Sequence, residues 1–143
     1  RAIHHISSGK ILMADRRLRR WFNEEQIKIM KEAVEDHRAS ASHAPRSIYG
    51  KIVAEADRDL EPEHIFRRTV QYGLTHYPEK CKEEHWERFL QHMDQKYSLH
   101  GYIRLWMTNS PNEKKLKEIR DALNNKDALR NTFERIFNEE NQE

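Results

Sequence analysis

Four positions carry the side chains best suited to chemistry: adjacent His4 and His5 in HHISSGKIL, His37 in VEDHR, and Asp57 in IVAEADRD. Imidazole nitrogens and carboxylate oxygens ligate divalent transition ions, and such ions activate water against phosphate esters. His37 extends the apolar series Ile27, Met30, Val34 by a further helical step, which predicts a ring turned toward the core side. Asp57 follows Val53 by four and precedes Leu60 by three. On that face an unpaired carboxylate is costly, and a cation offsets the cost. Asp59, three residues after Ala56, is a rival on the neighbouring edge. His5 lies four before Gly9 and seven before Leu12, on one side of the first helical turns. Taken singly, each group has a commoner use. A histidine on an apolar face more often bonds a backbone carbonyl, and an aspartate near a helix end more often caps it or pairs with a base.

A phosphate also needs cationic grip. Arg46 precedes Ser47, the expected N-cap of a helix whose free N–H groups favour an anion, and Lys51 lies one turn further in. Arg38 directly follows His37. The run Arg16, Arg17, Arg19, Arg20 alternates with Leu18 and Trp21, which fits a helix surface with snorkelling stems better than a polynucleotide track. Trp21, Trp86 and Trp106 are expected in the core or at its rim. Cys81 stands between two lysines, an arrangement that favours thiolate, but no base is defined beside it.

The elements that must hold these groups are written in helix signals. Ser7 or Ser8 is expected to cap a first helix carrying Ile11, Leu12 and Leu18 and ending near Trp21. Asn23 and Gln26 form a capping box for the next, with Phe22 stapled to Ile27. Residues 38–45 read as a loop, after which Ser47 caps a helix through Ile48, Ile52, Val53 and Ala56. Pro62 suits the first position of a fourth helix with Phe66, Val70, Gly73 or Leu74 and Tyr77, stopped by Pro78. A fifth carries Trp86, Phe89 or Leu90, Met93 and Tyr97. Residues 100–109 are the least helical stretch. Ser110, Pro111 and Glu113 open a sixth helix through Leu116, Ile119 and Leu123, and a seventh bears Leu129, Phe133, Ile136 and Phe137. No run alternates with the period of two that a half-buried strand needs. The expectation is an all-α bundle of about seven helices.

The bulk numbers agree. A chain of 143 residues fits one domain, with 1–60 as the site-bearing half and 61–143 as C-terminal helices packing on it. Only 4 Gly and 4 Pro are too few for a turn-rich sandwich. The 26 basic and 24 acidic residues nearly balance, which argues against a dedicated nucleic-acid module. One cysteine excludes an internal disulfide and fits a reducing cytoplasm. No apolar run approaches the roughly 18 residues of a membrane span.

Three stations also resemble, in order, the downstream half of the motif of HD-superfamily metal-dependent phosphohydrolases. HHISSGKIL is similar to the segment where a histidine, with three residues between it and a glycine, opens a helix ending in Ile-Leu, with His5 and Gly9 in those places. AVEDHR resembles the helix that delivers a histidine to the metals, here His37. IYGKIVAEADRD resembles the helix leading into Ala-Asp, which makes Asp57 rather than Asp59 the ligand. The whole chain looks most like small bacterial HD-domain hydrolases of unassigned substrate. The resemblance implies an HD-type helical bundle and one or two divalent ions (Mn, Fe, Mg or Zn). It implies His5, His37 and Asp57 at the metal or phosphate, with His4 as a further candidate. It implies a nucleotide or other small phosphorylated metabolite as substrate, gripped by Arg46, Arg38 and Lys51. A homo-oligomer is compatible with it.

Two departures stand out. The superfamily's initial His and its His-Asp doublet have no match, since no His-Asp dipeptide occurs in the chain. The chain also opens directly on a motif segment without Met, so an N-terminal segment carrying those ligands is expected to be missing. The residues after His37 lack the Glu and Gly-Tyr-Pro signature of the cyclic-dinucleotide phosphodiesterase branch, which sets that substrate aside. The alternative from another class is a non-catalytic helical binding domain, either a degenerate HD fold or a nucleic-acid adaptor.

Overall fold

The structure, a computed structural model, describes residues 3–41 and 43–141. In order, the described residues form α1 (His4–Ala14), a 3-10 turn (Leu18–Arg20), α2 (Glu24–Asp36), α3 (Ile48–Ala56), α4 (Pro62–His76), α5 (Lys82–Tyr97), α6 (Pro111–Asn124) and α7 (Lys126–Glu140). Among them there is no strand, so the architecture is all-α with seven helices. Among the described residues no helix is long and apolar enough to cross a membrane.

Most helix starts follow their local chemistry. The Asn23 side chain accepts the Gln26 N–H at 2.9 Å, and Gln26 returns its side-chain oxygen to the Asn23 N–H at 2.9 Å. Ser47 Oγ accepts the Gly50 N–H, Pro62 occupies the first turn of α4, and Asn125 accepts the Ala128 N–H. The first helix departs from expectation. It begins at His4, ahead of both serines, with Ile3 as an N-cap that offers no side-chain acceptor. It stops at Ala14 because the Asp15 carboxylate takes the Arg17 N–H at 2.8 Å, an Asx-type turn that competes with continued helix.

The chain falls into two compact units, one within Arg1–Arg58 and Arg104–Ser110, the other within Asp59–Ile103 and Pro111–Glu143. In the first, α2 packs on both α1 and α3. Its buried apolar side chains are few: Ile27, Ala33, Pro45 and Ala54. The expected core face of α3 is reversed. Ile48, Tyr49, Ile52 and Val53 are exposed, whereas Gly50, Ala54 and Glu55 are buried, because α3 meets its neighbours through its small residues. The buried Glu55 carboxylate fastens the returning segment, accepting the Trp106 N–H at 2.6 Å, the Met107 N–H at 3.1 Å and the Ser110 hydroxyl at 3.2 Å.

The second unit holds a conventional core. Ile65, Phe66 and Val70 of α4, Phe89, Met93 and Tyr97 of α5, Leu116 and Ile119 of α6, and Leu129, Phe133, Ile136 and Phe137 of α7 are all buried. Most belong to the expected stripes, but Ile65 lies outside them, Tyr77 is exposed and Trp86 and Leu123 are half-buried. Phe89 meets Phe66 and Phe133 at centroid distances of 5.8 and 5.4 Å. Arg67 stitches α4 to α7 through Glu139 and Glu140.

Candidate functional site

The opening of α1 and the end of α2 bring three imidazoles together. His4 and His5 occupy the first turn of α1, and His37 is the C-cap of α2. The crossing is set by Gly9, one turn after His5. A Cβ there would lie 2.8 Å from Glu35 Oε1 and 2.9 Å from Glu35 Cγ, so only glycine lets the two helices approach this closely. Ring centroids are 5.2 Å apart for His4 and His37, 5.7 Å for His4 and His5, and 6.5 Å for His5 and His37.

The ring nitrogens have distinct roles. His37 Nδ1 lies 2.5 Å from the Val34 carbonyl, so it must carry a proton and donate there. That assignment leaves Nε2 of the neutral ring with a lone pair, and Nε2 sits 3.2 Å from His4 Nε2. Two imidazole ligands at about 2.0–2.1 Å on a tetrahedral ion stand roughly 3.4 Å apart. The observed pair is close to that separation, and an anchored Nδ1 with an outward Nε2 is how ligating histidines are commonly oriented. His5 Nδ1 is buried with no hydrogen-bond partner. Burial first, then Arg38 and the two other histidines, push the His5 pKa below the ordinary imidazole value, with Glu35 opposing. A neutral imidazole is the form that binds metal. A third ligand is not in place: among the described residues, no group of three or more His, Cys, Asp or Glu side chains is arranged to hold a metal ion.

The other expected groups are distributed differently. Asp57 is the exposed C-cap of α3, its N–H bonded to the Val53 carbonyl, so the inward placement read from its spacing does not hold. The helix ends one residue before it, and the period that aimed it inward stops there. Asp59 belongs to the second unit, where it accepts the Glu61 N–H and pairs with His64 at 3.2 Å. Lys51 is half-buried on α3. Arg46, expected at a phosphate, is bound to internal acids instead. Its Nη2 meets Asp36 Oδ1 at 2.8 Å and Glu35 Oε2 at 3.0 Å, while its own N–H donates to Asp36 Oδ2 at 2.7 Å.

Asp36 is the residue that sequence reasoning missed. Its side chain is 1% exposed. Desolvation pushes its carboxyl up, but side-chain and backbone hydrogen bonds from Arg46 outweigh that and hold it below the usual carboxylate range. No periodicity marked it: in the structure the buried positions of α2 are Ile27, Ala33 and Asp36, which turns the inward stripe away from Val34 and toward Asp36. Glu35 bonds Lys31 Nζ at 3.0 Å as well as Arg46, so the charges beneath the histidines are held by one network. The chain matches no protein-family model, no curated protein and no solved structure.

Proposed function

We propose that this protein is a metal-dependent phosphohydrolase of HD-domain type, acting on a nucleotide or another small phosphorylated metabolite. The observation that carries the proposal is the meeting of His4 and His37 through Nε2 atoms 3.2 Å apart, with His37 Nδ1 anchored on a backbone carbonyl. His4 and His37 would hold the ion, and His5, kept neutral by burial and by Arg38, is the adjoining ring. Bound there, a divalent cation supplies charge neutralisation at phosphoryl oxygens and activation of water near neutral pH. The chain's own groups do the remaining work. Asp36 and Glu35 fix Arg46, Arg46 fixes the end of α2, and the end of α2 sets the His37 ring. Arg38, next in sequence and felt electrostatically by His5, is the cation we assign to a phosphate.

Asp57 enters as the ligand implied by family resemblance. Metal content of the purified full chain, with hydrolysis of nucleotides and p-nitrophenyl phosphate, tests the reading. Bound transition metal is expected, falling in both His37→Ala and Asp57→Ala. Metal content unchanged in both variants would place the site elsewhere. A second reading, a non-catalytic helical binding domain, draws support from the exposed Asp57 and from a His4–His37 pair that is satisfied within the protein. Native protein that neither binds metal nor hydrolyses phosphate esters would favour it.

A further inference from the structure

We infer that the cleft beside Arg88, in the second unit, is a binding site for a small monocarboxylate with a flat, apolar body. Arg88 leaves α5 and lies across α4 at Gly73, where a Cβ would fall 2.7 Å from Arg88 Nη2 and 2.9 Å from Nε. Its guanidinium donates to the Thr69 carbonyl and stands 5.8 Å from the Tyr72 ring centroid and 6.0 Å from that of Tyr77. It forms no ion pair with any described residue, and its Nε–H is buried with no acceptor. A half-buried guanidinium balanced only by a carbonyl and two ring faces lacks the counter-anion that such a charge normally acquires.

An open cleft of about 570 Å³ adjoins it, lined by Tyr77, Lys80, Glu84, Glu87, Arg88 and Gln91. That volume exceeds what a bare ion requires and falls within the range of small-molecule sites. The lining charges choose the ligand. Glu84 is engaged, accepting the Cys81 N–H at 2.9 Å and facing Lys80 Nζ at 3.5 Å, which leaves Lys80 compensated. Arg88 is the uncompensated cation, and Glu87 stands on the rim as an uncompensated acid. One free cation beside one free acid accepts a monoanion and penalises a dianion such as phosphate. Tyr77, partly exposed, offers a ring against which a planar body can pack, and with Nε–H buried and Nη2 given to the Thr69 carbonyl, Nη1 is the guanidinium nitrogen left to meet a carboxylate.

The test uses the native full chain, titrated with benzoate, acetate and inorganic phosphate while the Arg88 Nε–H resonance and the heat of binding are followed. Benzoate is expected to bind saturably and to move that resonance, with acetate weaker and phosphate weakest. Arg88→Gln should weaken benzoate at least about tenfold. Because Arg88 also packs across α4, Glu87→Gln is the second arm, and it should tighten benzoate a few-fold by removing a like charge. An unmoved Arg88 resonance at saturating benzoate, phosphate binding more tightly than benzoate, or benzoate affinity indifferent to both substitutions would each overturn the assignment.

Discussion

Protonation of His5 and of His85 is opposed first by burial, and in both cases a nearby arginine adds to the effect, Arg38 for His5 and Arg88 for His85. Each folded-state pKa lies below that of the unfolded chain, so the unfolded state binds more protons as acid is added. The stability they contribute is full above about pH 6.5, the unfolded imidazole value, and is lost as pH falls through their lower folded values. Calorimetry should therefore show a melting temperature that is flat near neutrality and declines from about pH 6.5 downward, before the paired carboxylates begin to titrate. His85 packs on Phe137 at 5.6 Å and is almost fully buried, so His85→Phe should flatten part of that decline. An unchanged slope would remove His85 from the account. At Asp36 the issue is pairing. Arg46→Met leaves a buried carboxylate without its guanidinium, with an expected loss of about 3 kcal/mol in urea unfolding. Arg46→Lys should recover only part, because an ammonium cannot reproduce the forked contact. Equal stability of all three proteins would contradict the role assigned to the pair.

At the scale of elements, α1 and α2 meet at a glycine. Alanine there would ordinarily strengthen a helix by about 1 kcal/mol, yet its Cβ would press on Glu35, which Lys31 and Arg46 hold in place. Gly9→Ala is expected to destabilise by about 1–2 kcal/mol net, measured by thermal unfolding, and to weaken the proposed metal site by moving His4 away from His37. A stabilising effect would mean that Glu35 yields freely. What the sequence makes legible at this scale is local. The Asn23–Gln26 box, Pro62 and the stripes of α4, α5 and α7 all rest on contacts within a few residues. The start of α1 was not legible, because Ile3 offers no capping acceptor and the serines that looked like caps lie inside the helix. Nor was the buried face of α3. Its large apolar residues and its small ones lie on different sides, and the close approach of α2, which no periodicity records, selects the small ones. The histidine meeting follows the same rule. The position of His37 at a helix end could be read, but its partner His4 is 33 residues away, and Asp36 finds Arg46 ten residues on.

For the whole molecule, the two units differ in how much apolar surface they bury. The first encloses Ile27 and Pro45 with two alanines and leaves Ile48, Ile52 and Trp21 exposed, while the second encloses four phenylalanines with their aliphatic neighbours. Burial of apolar area is the main favourable term, so opening free energies should differ between them. Hydrogen exchange is expected to run faster for amides of α2 and α3 than for those of α5 and α7, and uniform protection would contradict this. The return of residues 104–110 to the first unit has a consequence for synthesis. That unit is discontinuous in sequence, and the Glu55 carboxylate waits for the Trp106 and Met107 amides that complete it. On the ribosome α1 to α3 are made before α4 and α5, yet the Trp106 and Met107 amides that bond Glu55 follow only after α5. The helices of this unit, made before α4, therefore reach their finished hydrogen bonding only after α5, and a nascent chain halted after Tyr97 would hold Glu55 with its Trp106, Met107 and Ser110 donors still untranslated.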